Sequence, residues 1–172
     1  MRASEVGEGE YNPYYKGYIA AAGDGNLLDL LKEGVASFID FIESIPEDRL
    51  NYRYQDSKWT VAEVLVHLFD AERVFQYRAL RFARNDNTPL TGFEQDDYVP
   101  ASEASKRSKA SLISEYQSIR ESTLTLFETF DSEKLKRSGQ ASGSNMSVRA
   151  LGFVIVGHQN HHQQILKERY LV

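Results

Sequence analysis

Residues 60–84, TVAEVLVHLFDAERVFQYRALRFAR, decide the fold class. Val64, Leu68, Ala71 and Phe75 recur at intervals of three and four, the period of one face of an α-helix. Thr60 followed by Glu63 forms a capping box. The hydroxyl accepts from the backbone N–H at the third helical position, and the carboxylate accepts from the N–H of the cap residue. The spacing predicts a helix from Val61 to about Arg84, with His67 at the edge of its apolar face.

Working outward, a first helix is expected from about Asn26 to Ile45. It carries Leu27, Leu28, Leu31, Val35, Phe38, Ile42 and Ile45 on one stripe, and Pro46 closes it. After the second helix, residues 85–100, NDNTPLTGFEQDDYVP, hold two prolines and a glycine and delay the third helix until about Ser102. That helix presents Leu112, Ile113, Tyr116, Ile119, Thr123, Leu126, Phe127 and Phe130. Residues 138–145, SGQASGSN, read as a loop. Ser147 then caps a fourth helix, stapled by Met146 and Leu151 and predicted to run to the end of the chain.

Strand-like alternation is hard to find, so the expected class is all-α, a four-helix bundle. A second helix of about 36 Å can be spanned by roughly 17 extended linker residues, which reach about 55 Å. Helices 2 and 3 can therefore run parallel, joined by a long crossover.

The 172 residues suit one domain, residues 1–172, with a tyrosine-rich arm (1–23) before the bundle (24–172). Tyr11, Tyr14, Tyr15 and Tyr18 surround Pro13 in that arm, which suits a segment laid over the bundle better than a free tail. Hydrophobic residues make up 41% and charged residues 26%, a globular composition. With 25 acidic and 20 basic side chains, the net charge of −5 argues against a nucleic-acid partner, which usually demands a basic field. No run of about 18 apolar residues and no signal-peptide pattern occurs, so a soluble, cytoplasmic protein without a membrane partner is expected. There is no cysteine, which removes disulfides, thiolate metal sites and cysteine nucleophiles together.

All four histidines fall on two predicted helices, His67 on the second and His158, His161 and His162 on the fourth. His158 and His162 are about 40° apart around their helix and share the stripe of Leu151, Val154, Ile155, Ile165 and Leu166. Two imidazoles at i and i+4 can converge on one metal ion, and His67 can supply a third nitrogen from across the bundle. His161 is rotated about 60° from His158 and about 100° from His162, on the flank of the stripe. His162 is the preferred ligand, with His161 as its substitute. The i, i+4 pair of thermolysin-type proteases has a glutamate after the first histidine, and here that position is Gln159, so that reading lacks its general base. The competing reading is a set of core histidines satisfied by hydrogen bonds. Three rings on two interior faces make that arrangement costly.

SKWTVAEVLVHLFDAERVFQYRALRFAR, LTGFEQDDYV, SIRESTLTLF and MSVRALGFVIVGHQNHHQQILKERYL together resemble the DinB-like superfamily of metal-binding four-helix bundles, also described as the YfiT-like group. The resemblance covers nearly the whole chain. It implies up-down-down-up connectivity with a long link between helices 2 and 3, and a DinB-like domain that often forms homodimers. It also implies a triad of one histidine in helix 2 and two, four residues apart, in the last helix. Those positions are His67, His158 and His162. The expected ion is divalent, with zinc and nickel first among the metals that imidazole suits.

Three neutral imidazoles leave an open coordination position, where water becomes a usable nucleophile. The resemblance implies two activities on a small-molecule substrate: transfer assisted by a low-molecular-weight thiol cofactor, the favoured direction, with metal-dependent hydrolysis as the alternative. A non-enzymatic stress-related binding module with a structural metal is the reading from a different class. Glu63 and Asp70 lie within about 60° of His67 and are candidates to reach the site. Arg78 shares the angular position of His67 and reads first as a structural ion-pair partner, with a substrate carboxylate as the alternative. Trp59 reads as a plug at the helix entry, Tyr98 as a neighbour of the pocket mouth, and Asp96 and Asp97 as solvated loop caps.

Overall fold

The computed structural model describes residues 1–172. A short α1 (Lys16–Ala21) precedes α2 (Leu27–Ser44) and α3 (Val61–Ala83). Next come α4 (Gln95–Ala101), α5 (Lys109–Phe127), α6 (Ser132–Lys136), the strands β1 (Ser138–Ala141) and β2 (Ser144–Ser147), and α7 (Val148–Ile165). The long helices α2, α3, α5 and α7 form the four-helix bundle. No helix is long and apolar enough to cross a membrane.

Each long helix starts where a side-chain oxygen satisfies a backbone N–H that has no helical partner. Asn26 accepts from Leu28 at 3.1 Å, Thr60 from Glu63 at 3.2 Å, Ser108 from Ser111 at 3.2 Å and Ser147 from Ala150 at 3.1 Å. Facing residues give the directions. Phe69 meets Tyr116 with ring centroids 5.9 Å apart, and Gln76 donates to Ser122 at 2.7 Å, so α3 and α5 run the same way. Arg120 approaches the Leu31 carbonyl and Lys109 the Glu43 carbonyl, so α2 and α5 run oppositely. Phe75 meets His158 with ring centroids 6.1 Å apart, while Tyr170, beyond the end of α7, reaches Trp59 just before α3, so α7 runs against α3.

Three segments depart from the sequence reading. The third long helix begins at Lys109, not Ser102, because Glu103 is left-handed (φ 49°) and Ser108 makes the cap. Its connector contains α4 instead of loop alone. Residues 138–147 form a hairpin in register Ser138↔Ser147 to Ala141↔Ser144. Its two-residue turn, Ser142–Gly143, has φ of 51° and 75°, the left-handed pair whose twist suits a tight hairpin. The crossover is pinned to this hairpin, with Leu90 donating to Gln140 at 2.9 Å and accepting from Ser142 at 3.0 Å. The last helix is α-helical only to Ile165. Leu166–Tyr170 is a wider π turn in which the Leu171 N–H reaches the Leu166 carbonyl at 3.1 Å. That turn lets the Tyr170 hydroxyl donate to the Trp59 carbonyl at 3.0 Å.

The interior has two hydrophobic clusters. One includes Leu31, Phe75, Phe82, Phe127, Phe153 and Val154. The other includes Phe38, Ile42, Leu65, Phe69, Leu112 and Tyr116. Between them lies a buried polar layer of His67, Glu72, Arg120, Thr123, His158 and Gln159. Arg120 donates to both Glu72 oxygens, at 2.8 and 2.9 Å, and to Gln159 at 2.7 Å, while Thr123 donates to Glu72 at 2.8 Å. Removing one member of such a buried pair typically costs about 3–5 kcal/mol, because the other charge is left without compensation.

The first 25 residues pack on the bundle. Asn12 donates to Ser144 at 2.7 Å, Asn145 to the Gly9 carbonyl at 2.9 Å, and Asn160 to the Ala21 carbonyl at 3.0 Å. Arg149 clasps the Glu10 carboxylate through both Nε and Nη2 and holds its pKa down to about 2. α1 crosses α7 at Gly157, where a Cβ would stand 1.7 Å from the Tyr18 carbonyl oxygen. Only glycine admits that approach.

Candidate metal centre

His67 lies in the second turn of α3, and α7 presents His158 and His162 one turn apart. The structure brings these three together. The Nε2 atoms of His67 and His158 face each other at 3.1 Å. One nitrogen from each ring can be chosen so that all three lie within 4.8 Å of one another. His67 and His158 are only 5% and 7% exposed.

Burial disfavours the charged rings, taking His67 down to about 4 and His162 to about 3, and His158 well below the ordinary value. The three rings are therefore neutral, the form in which imidazole ligates a metal. Two nitrogens about 2.0–2.1 Å from a common ion are separated by a distance close to the one His67 and His158 show. The donor set fits a divalent ion with room for an exogenous ligand.

Aromatic edges fix the rings. The Trp59 centroid is 4.8 Å from His67, and Tyr18 stands edge-on 5.1 Å from His158. A cavity of about 160 Å³ opens onto His67 and His158 between Tyr14, Tyr15, Tyr18, Arg78 and Phe93. A second, of about 340 Å³, reaches His162 between Lys58, Trp59, Asp96 and Tyr170.

The other candidates separate. His161 is exposed and packs against Tyr18 at 5.2 Å, outside the triad. Glu63 closes the capping box on the Thr60 N–H at 2.7 Å, and Asp70 turns to Arg73 at 3.4 Å, so neither joins the histidines. Asp96 and Asp97 occupy the exposed first turn of α4, with Asp96 bordering the larger cavity. Tyr98 is half exposed and pairs with Phe93 at 5.3 Å. Gln159 accepts from Tyr116 at 2.8 Å and from Arg120, which places it in the polar layer and not in a base role. Arg78 is buried but makes no ion pair, contrary to the structural pairing expected first. Its Nη2 donates to the Thr91 carbonyl at 3.2 Å and to Ser142 Oγ at 2.9 Å.

The sequence reading missed the Glu72–Arg120 pair beneath His158 and the part that Tyr18 takes in the site. The signal for the pair was present: Glu72 interrupts the apolar stripe between Leu68 and Phe75, and Arg120 interrupts the one between Tyr116 and Thr123.

Residues 30–166 match the family model of the DinB superfamily. Among solved structures the chain resembles YfiT from Bacillus subtilis, described as a probable metal-dependent hydrolase with an unusual four-helix bundle topology. The TM-score is 0.74 at 19% identity, covering 83% of this chain and 82% of that one. At that identity the likeness is one of fold. No curated protein matches the chain.

Proposed function

We propose, since this chain belongs to the DinB superfamily, that it is a metal-dependent enzyme holding one divalent ion, zinc or nickel, on His67, His158 and His162. The observation that carries this reading is the convergence of three neutral imidazoles beside a cavity large enough for a small molecule. When bound, the ion supplies Lewis acidity, which lowers the pKa of a small nucleophile at an open coordination position.

The chain's own residues do the rest. Trp59 and Tyr18 lock the ring orientations, Glu72 and Arg120 stiffen the helices beneath them, and the arm shields the cavity from bulk water. Hydrolysis is the leading reaction, in keeping with the description of the YfiT structure. Transfer to or from a low-molecular-weight thiol uses the same site. It is favoured by Arg78 in the cavity wall, where a cation suits an anionic cofactor or substrate.

Elemental analysis of the purified wild type beside His67→Ala, His158→Ala and His161→Ala tests the centre. One equivalent of metal is expected in the wild type and in His161→Ala, and strongly reduced metal in the other two. Undiminished metal in both His67→Ala and His158→Ala would sink the assignment. Ester and amide substrates, then electrophiles paired with biological thiols, distinguish the two reactions. Turnover only with thiol present would overturn hydrolysis.

A further inference from the structure

Two arginines are buried in the bundle, and their surroundings treat them differently. Arg120, 1% exposed, is neutralised by the bidentate Glu72 carboxylate. Arg78, 2% exposed, has no carboxylate oxygen within 4.0 Å. Its hydrogen bonds go to neutral oxygens, those of Thr91 and Ser142 through Nη2 and the Tyr15 hydroxyl. A guanidinium cannot shed its proton in a protein, so burial does not relieve the charge as it does for a lysine. A buried charge without a counter-charge is costly, and such charges in native proteins are usually paired.

The position is built with some care. Ser142, one of the partners of Arg78, sits in the left-handed turn of the hairpin at φ 51°. Thr91, another, follows Leu90, which is bonded to the same hairpin. Crossover and hairpin thus converge to aim one guanidinium at the cavity beside His67 and His158. With His67 and His158 neutral, Arg78 is the only cationic side chain lining that cavity, and Glu94 its only carboxylate, on an exposed residue. The rest of the wall is largely aromatic: Tyr14, Tyr15, Tyr18, Phe75 and Phe93.

We propose that Arg78 is the anion-binding, specificity-determining residue of this cavity, and that the substrate is a small carboxylate with a flat apolar body. The planar fork of the guanidinium takes the carboxylate, and the tyrosine and phenylalanine faces take the body. One uncompensated positive charge matches a monoanion, and Glu94 disfavours a dianion such as phosphate. This deepens the reading of the cavity as the substrate site and rests on it.

Isothermal titration of the full-length, metal-free protein with benzoate, neutral benzamide and inorganic phosphate is the test. Benzoate is expected to bind, with benzamide and phosphate about tenfold weaker or worse. Arg78→Met is expected to weaken benzoate by about tenfold or more, and Arg78→Lys by less, since it keeps the charge and loses the fork. No saturable benzoate binding, equal affinity for benzamide, preference for phosphate, or unchanged affinity in Arg78→Met would each overturn the proposal. Should Arg78→Met fail to fold, a wild-type co-crystal with 4-bromobenzoate decides. The carboxylate lies against Arg78 or the proposal is wrong. The titration needs no metal, so the two readings can fail separately. Arg78-dependent benzoate binding by a protein that never takes up metal would remove only the metal centre. Stoichiometric metal with benzoate affinity indifferent to Arg78 would remove only this inference.

Discussion

His67 and His162 hold pKa values of about 4 and 3 against an ordinary 6.5, because burial opposes their positive forms. A folded value below the unfolded one means that the unfolded chain binds more protons between the two. The stabilising difference is therefore complete above about pH 6.5 and is lost as the pH falls through the window from 6.5 towards 3–4. Each such group adds a slope of up to about 1.4 kcal/mol per pH unit inside that window. Thermal melts of the metal-free protein should show Tm dropping across it, and His67→Ala should flatten the drop. A wild-type Tm that is level from pH 7 to 4 would contradict the assigned neutral rings. At this scale much of the centre was legible. Helical phase turns His158 and His162 inward, sets His67 at the edge of its face and leaves His161 on the flank where the structure exposes it; choosing these three as a set needed the family resemblance as well. The pairing of inward charges was not legible. Whether Arg120 meets Glu72, and Arg78 meets nothing acidic, depends on the register between helices remote in sequence.

Elements with strong local signals were found at their true boundaries. The Thr60–Glu63 capping box and the Ser147 cap start α3 and α7 where they were read. The misread elements are short or set by contacts elsewhere. Strands of four residues carry too little alternation to see, and the hairpin's turn uses Ser142 where Asn or Gly is the usual signal. The π turn at Leu166–Tyr170 answers to the anchoring of Tyr170 on Trp59, not to local sequence. The docking of α1 on α7 makes a sharper prediction. Gly157→Ala puts a methyl group into the Tyr18 carbonyl, a backbone atom that cannot rotate away. The variant should lose about 1–3 kcal/mol in urea titrations, the usual cost of overpacking, and should become sensitive to limited proteolysis within the first 25 residues. Wild-type stability together with an uncut arm would show that the helices separate without cost.

For the molecule as a whole, the centre joins α3 to α7, so a bound ion acts on global stability. At a free concentration of about 1,000 times Kd, a ligand specific to the folded state adds roughly 4 kcal/mol, or about 8–16 °C in Tm for a chain of this size. Zinc should raise the wild-type melt accordingly and leave His158→Ala nearly unmoved. Trp59 is the sole tryptophan and lies 4.8 Å from His67, so nickel or copper bound there should quench its emission. Quenching that survives in His158→Ala would place the ion elsewhere.

The arm on α7 also gives the molecule an order of assembly. The cavity's roof comes from residues 14–18, and its nearest floor histidine is His158, about 140 positions later in synthesis. Contacts of such long sequence separation close late, after the loop entropy between them has been overcome. A ribosome-bound chain lacking α7 already carries Phe75 and Arg78 on α3, but it has neither His158 nor the helix on which α1 docks, so the cavity closes only as the two distant segments meet.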